Sequence, residues 1–328
     1  MKSNSLKNRA ANLPSGYTLV GKWHSNPYII RRKLGSGATG TVYLAEDGLS
    51  QMVALKIAVD NMAITSEVNV LKHFSKVEGK KLGPKLLDVD DMMTTDGTLP
   101  FYVMEYLKGD SIIQYLNGKG AEWLGLFVVQ LLGDLEDLHV EGWVFGDLKP
   151  DNLMIVGPPP RVRWIDVGGT TLLGRSIKEY TEFYDRGYWG LGTRKAEPSY
   201  DLFAVAMIMI NCDYSSRFDK GTGGNLELLE KRINQKERLQ LFKPILRKAL
   251  TGKYQRASEM KQEVVELLAA PNKGKRMTPK KKVKTLKPQQ VKRKKRRKSK
   301  GSSYIVEIFL IISLIILVYI LYLFGQTM

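Results

Sequence analysis

Four side chains between residues 147 and 166 could carry one reaction. The segment FGDLKPDN, residues 145 to 152, supplies Asp147, Lys149 and Asn152, and Asp166 follows in Asp166-Val167-Gly168. An aspartate to accept a hydroxyl proton, a lysine to neutralise a γ-phosphate, and an Asn and an Asp to ligate metal together make a phosphoryl-transfer site. Mg²⁺ takes few protein oxygens and completes its shell with water and phosphate, so Asn152 and Asp166 suffice. By itself GDLKPDN also reads as a polar turn, since Asp, Pro, Asn and Gly are ordinary turn residues.

Other elements must bring a nucleotide to these groups. In LGSGATGTVYLAED, Gly35, Gly37 and Gly40 form G-x-G-x-x-G-x-V with Val42. A dinucleotide site needs a helix to begin at the glycines, whereas the flanks IIRRKL and TVYLAE are strand-like and predict a glycine-tipped hairpin. Main-chain amides without side chains can close over phosphates. Lys56 follows in the apolar run VALKIAV, 53–59. Alone it would be a solvent-pointing strand lysine; behind a glycine hairpin it is placed to grip the α- and β-phosphates. Glu67 is the only acidic residue between Asp60 and Glu78, with Val68, Leu71 and Phe74 at helical spacing beyond it. It is expected near the start of an amphipathic helix, oriented toward Lys56.

These motifs, with VMEYLKGDSI and SYDLFAVAM, follow the order of the protein-kinase fold over about residues 28–270. The chain resembles bacterial eukaryotic-like (Hanks-type) serine/threonine protein kinases, and more narrowly the short membrane-tethered YabT type of spore-forming Gram-positive bacteria. The resemblance implies ATP with Mg²⁺ (or Mn²⁺) and phosphoryl transfer to Ser/Thr hydroxyls of cytoplasmic proteins and of the chain itself. It implies that Met104 is the gatekeeper, that Glu105 to Leu107 form the adenine hinge, and that Val42 and Ala54 line the nucleotide site. It also implies that Asp201 anchors the catalytic loop and that Arg256 pairs with a glutamate ending the activation segment, Glu182 or Glu197.

The chain departs from the family at several points. His-Arg-Asp is replaced by Phe145-Gly146-Asp147, which keeps a packing residue but removes the arginine that clamps a phosphorylated activation loop. Activity is therefore expected to be independent of that clamp. Val167 stands where the family has Phe, and Ala196-Glu197-Pro198 lies unusually close to Asp201. Thr193, after Gly192, resembles the threonine that contacts the catalytic Asp and Lys. Thr170, Thr171, Thr181 and Thr193 are candidate phosphosites. Gly146-Asp147-Leu148 leans toward small-molecule kinases of related fold and Lys149-Pro150 toward protein kinases; the lysine decides for the latter. A nucleic-acid-binding pseudokinase is the non-enzyme alternative, disfavoured because no expected metal or phosphate ligand is missing.

The net charge of +18 has one address. Residues 271–303 hold 16 of the 51 basic residues and no acid, leaving 35 basic against 33 acidic elsewhere. Prolines and scarce apolar residues predict a disordered linker whose 273–300 stretch meets DNA or anionic lipid. Tyr304 to Phe324, interrupted only by Glu307 and Ser313, reads as a single membrane span of about 32 Å. The basic flank then leaves the kinase domain in the cytoplasm, at the plasma membrane, with 325–328 outside. The expected architecture is α+β: an arm at 1–27, a small antiparallel β lobe with one helix at 28–103, a mainly helical lobe at 104–270, the linker and the transmembrane helix. The single Cys212 makes no internal disulfide, which suits a reducing compartment. His24, His73 and His139 are scattered and suggest no zinc site; His139 reads as a helix-end residue. Nothing in the sequence sets the oligomeric state.

Overall fold

Alternating burial defines the first sheet. In Gly40–Asp47 (β3) Thr41, Tyr43 and Ala45 are buried and the residues between them only partly covered, the pattern of a strand with one face on a core. The computed structural model describes residues 10, 12–37, 39–58, 60–75, 82–95, 97–221 and 223–270, all within one compact unit. Thr18–Val20 (β1), Pro27–Gly37 (β2), β3, Met52–Ile57 (β4), Leu86–Thr94 (β5) and Gly97–Glu105 (β6) form an antiparallel sheet ordered β1-β2-β3-β4-β6-β5. Between β4 and β5 runs Asn61–Phe74 (α1), capped by the Asp60 side chain accepting from the Met62 amide. One sheet face packs Leu19, Ile30, Tyr43, Leu55 and Phe101 together. From the other, Ala54, Tyr102 and Met104 join Val68, Leu71 and Phe74 of α1 in a core that continues into the second lobe.

Where the sequence suggests a polar arm, β1 adds a sixth strand, and the residues after it are pinned to β5. The Trp23 and His24 amides donate to Asp90 at 2.9 and 2.8 Å. Asn26 Nδ2 and Tyr28 Oη donate to Asp88 at 2.9 and 2.6 Å. Burial alone would raise both carboxyls, but these donors win and hold both below the ordinary aspartate range.

The second lobe is mainly helical: Ile112–Leu116 (α2), Ala121–Val140 (α3), Pro198–Asn211 (α4), Asn225–Asn234 (α5), Glu237–Leu250 (α6) and Ala257–Ala269 (α7). Every α4 residue from Ser199 to Asn211 is buried, so this helix, apolar on all sides, is the axis of the lobe. Short strands carry the catalytic segments. Gly109–Ser111 (β7), Leu153–Val156 (β9) and Arg161–Trp164 (β10) pair as β10-β9-β7, and Trp143–Val144 (β8) pairs with Thr171–Leu172 (β11).

The two-lobed α+β expectation matches this architecture, but its membrane component is corrected. Among the described residues no helix is long and apolar enough to cross a membrane. The expected span at 304–324 and the basic 273–300 stretch, with its DNA or lipid partner, lie outside the described residues. The described fold contains no transmembrane helix. The single-pass plasma-membrane location and the bilayer as a partner are withdrawn with it.

Candidate active site

Strand register places the nucleotide-side residues on one surface. Val42 on β3 faces Lys56 on β4, Lys56 faces Tyr102 on β6, and Ala54 faces Met104. Residues two apart on a strand share a face, so Val42, Ala54, Lys56, Tyr102 and Met104 lie together. Met104 and Leu107 are buried. Glu105 accepts from Arg163 Nη2 at 3.0 Å, joining β6 to β10. The hairpin between β2 and β3 carries Gly35, Gly37 and Gly40. Gly35 and Gly37 have open space where a side chain would stand, whereas Gly40 has φ +154° and a Cβ there would lie 2.4 Å from the Ile57 carbonyl oxygen. Only glycine fits that last position.

Lys56 Nζ donates to both carboxylate oxygens of Glu67 at 2.7 Å, and Tyr102 Oη donates to Glu67 Oε2 at 2.8 Å. The Lys56 and Glu67 side chains are 5% and 3% exposed. Asp166 Oδ1 stands 3.9 Å from the same ammonium, and its carboxylate, 44% exposed, accepts from the Gly168 amide at 2.9 Å. Gly168 lies so near Glu67 that a Cβ would sit 3.0 Å from Oε1. Val167, in the family's Phe place, is buried.

The catalytic loop is hung from α4. Asp201, fully buried, accepts from the Phe145 amide at 2.8 Å and the Gly146 amide at 3.0 Å, and His139 Nε2 lies 2.9 Å from its Oδ2. Phe145 packs edge-on against Trp164 with ring centroids 5.1 Å apart. Gly146 is more than a vacant arginine. Its φ is +81° and a Cβ would lie 2.5 Å from the Gly169 carbonyl oxygen, so this backbone favours glycine. Asp147 contacts Lys149 Nζ and accepts from Thr181 Oγ1 at 2.9 Å, while Lys149 Nζ lies 3.1 Å from that hydroxyl. Asn152 Nδ2 donates to the Asp147 carbonyl at 2.9 Å, which leaves the amide oxygen as an acceptor.

Two expectations for the activation segment are corrected. The threonine on the catalytic Asp and Lys is Thr181, not Thr193, whose carbonyl instead accepts from Arg186 Nε at 2.6 Å. Glu197 pairs with Arg186 Nη2 at 2.7 Å, and that hydrogen bond holds its carboxyl below the usual range. Arg256 donates through Nε to Glu136 at 3.1 Å rather than to Glu182 or Glu197. His139 lies in the last turn of α3, as expected of a helix-end residue, and also closes on Asp201 across 62 residues. Sequence reasoning missed Asp185 altogether. Fully buried, it accepts from the Gly187 and Tyr188 amides, Arg194 Nε and Tyr200 Oη at 2.8–3.0 Å. The available signal was the sequence YDRGYWG, where turn-like glycines follow a lone aspartate.

Comparison with known proteins agrees with this geometry. The protein kinase domain family matches residues 28–286. Serine/threonine-protein kinase YabT of Bacillus subtilis (strain 168) is 53% identical over 268 residues, 81% of this chain and 79% of that protein. Serine/threonine-protein kinase PrkC of the same organism is 26% identical over 206 residues, 58% of this chain and 31% of its own length. With an ion-paired lysine beneath a glycine hairpin, an aspartate-lysine-asparagine loop and a family match over most of its length, this chain belongs to the protein kinase family, as a Hanks-type serine/threonine kinase.

Proposed function

We propose that the γ-phosphoryl group of ATP passes to a Ser or Thr hydroxyl at Asp147, with each surrounding residue in a separate role. Asp147 orients the acceptor hydroxyl and takes its proton as the oxygen attacks phosphorus. Lys149, beside both Asp147 and Thr181, is placed to neutralise charge on the transferring group. Lys56, held by Glu67, grips the α- and β-phosphates, under amides from the Gly35–Gly40 hairpin. Val42, Ala54, Met104, Glu105 and Leu107 receive the base.

The donor set also fits Mg²⁺. Asn152 and Asp166 offer hard oxygens, and Asp166 is exposed enough to reach a nucleotide. Asn152 and Asp166 would hold the cation, which would supply positive charge to offset that developing on the transferring phosphoryl group. The observation that carries the reading is the buried Lys56–Glu67 pair within 3.9 Å of Asp166, because a protein has little reason to bury an ion pair beside a second carboxylate except to place a charged ligand.

The activation segment is ordered by its own side chains. Asp185–Arg194 and Arg186–Glu197 tie it down where the family would use a phosphate and the arginine that Gly146 replaces. Phosphatase-treated enzyme therefore retains transfer to an added substrate. The site assignment is tested with radiolabelled ATP and a protein acceptor, comparing wild type with Lys56→Ala and Asp147→Asn. Both variants should lose at least about a hundredfold in rate; undiminished labelling by either would refute the assignment of that residue.

A further inference from the structure

Among the described residues two side chains donate to Glu67, and they do so unequally. Lys56 Nζ reaches Oε1 and Oε2 at 2.7 Å each, whereas Tyr102 Oη reaches only Oε2, at 2.8 Å. Tyr102 stands on β6 directly across from Lys56 on β4, and Glu67 comes from α1. The phenol bond therefore ties the helix to the sheet without passing through the lysine. Tyr102 and Glu67 are both 2% exposed.

A tyrosine in an apolar core could be there for its ring alone, its hydroxyl meeting whichever acceptor lies near. Phenylalanine has the same ring and needs no acceptor, and the neighbours Phe101, Val103 and Met104 are all apolar. Counting donors gives the hydroxyl its purpose. An ammonium has three N–H groups. Lys56 spends two on Glu67, which leaves one, while gripping an α- and a β-phosphate takes two. Binding a diphosphate thus withdraws one donor from a buried carboxylate, where solvent is largely excluded and a lost partner is costly. Oε2 keeps Tyr102 when the lysine turns away from it, and Oε1 has no second donor among the described residues. Burial, reinforced by the charges of Glu67 and Asp166, pushes the phenol well above the ordinary tyrosine range, so it remains a protonated donor.

We infer that Tyr102 is a positioning residue for phosphoryl transfer: its hydroxyl keeps Glu67 partnered, and α1 in place, while Lys56 turns to the phosphates. The inference rests on the protein-kinase reading and deepens it, since it secures the helix that carries Glu67 from the sheet side.

The test is calorimetric binding of Mg²⁺-ADP and of adenosine to the full chain and to Tyr102→Phe. The variant should raise the Kd for Mg²⁺-ADP by about tenfold, the order expected for one buried acceptor left without a donor. The Kd for adenosine should stay within about twofold, because adenosine has no phosphate to draw Lys56 from Glu67. In the Glu67→Gln background the same exchange should change the Mg²⁺-ADP Kd by less than about twofold, the non-additivity of two groups that act through one contact. Tyr102→Met provides the same comparison should the first variant fail to fold. An unchanged Kd for Mg²⁺-ADP, an equal loss for adenosine, or an undiminished effect in the Glu67→Gln background would overturn the inference. A wild-type chain that binds neither Mg²⁺-ADP nor Mg²⁺-ATP would overturn the nucleotide site itself, and the role of Tyr102 with it.

Discussion

Replacing Glu67 with glutamine keeps the size of the side chain and removes its charge, which isolates the electrostatic part of the site. In the wild type Lys56 Nζ has two carboxylate oxygens at 2.7 Å, and the next acidic oxygen is that of Asp166 at 3.9 Å. With both partners at or below 5% exposure, the variant leaves an ammonium buried beside a neutral amide. Breaking a buried pair from one side costs about 3–5 kcal/mol. At about 2–4 °C per kcal/mol for a domain of this size, the melting temperature should fall by roughly 10 °C, without a cavity contribution. Transfer should fall too, since Lys56 is then drawn toward Asp166 and away from phosphate. Lys56→Met combined with Glu67→Gln removes the orphaned charge, so the double variant should recover much of the stability and none of the activity. The assay is thermal denaturation beside steady-state transfer for the four proteins of the cycle. A Glu67→Gln protein melting within about 1 °C of wild type, or a double variant no more stable than the single, would refute the reasoning.

Three other outcomes follow from the geometry. Gly146→Ala forces a side chain into φ +81° against the Gly169 carbonyl; it should cost about 1–2 kcal/mol for the backbone alone and displace Asp147, read as a lowered melting temperature together with reduced kcat. Thr181→Val removes the hydroxyl that touches Asp147 and Lys149; kcat should drop roughly tenfold to a hundredfold while the KM for ATP stays within about twofold, the mark of misplaced reacting groups rather than lost nucleotide binding. Asp134 is pushed up to about 6, chiefly by burial, with Arg161 opposing. Its proton is therefore held more tightly in the folded state, and stability is lost as pH rises from about 4 through about 6. Asp134→Asn should abolish that loss and stabilise the protein at pH 7 by roughly 2–3 kcal/mol, detectable as a higher melting temperature at pH 7 but not at pH 4.

What could be read from the sequence and what could not divide along a physical line. Asp147, Lys149 and Asn152 sit in one short loop that ends in a single 3-10 turn at Pro150–Asn152, and Lys56 lies in an apolar run behind a glycine hairpin, so local spacing placed them. Thr181, His139, Asp185 and the partner of Arg256 are defined by contacts across 34, 62, 15 and 120 residues. No local period encodes such pairings. The activation segment misled for a further reason. Glycines at 187, 190 and 192 allow a looped path that shifts every position relative to the family, so Gly192-Thr193 resembles a motif whose work Thr181 does. The arm before Pro27 was underestimated because its hydrogen-bond acceptors, Asp88 and Asp90, lie 62 to 67 residues downstream of Asn26 and Trp23.

The anchoring of the catalytic loop to Asp201 explains how the chain could lose His-Arg from so central a motif. Phe145 and Gly146 offer Asp201 only their main-chain amides, groups that any residue but proline possesses. The grip is on the peptide backbone, so position 145 could exchange its side chain without releasing Asp147, while position 146, at φ +81°, favours glycine. What the loop gave up was a receptor for phosphate, while the support of its catalytic aspartate stayed in the most deeply buried helix of the lobe.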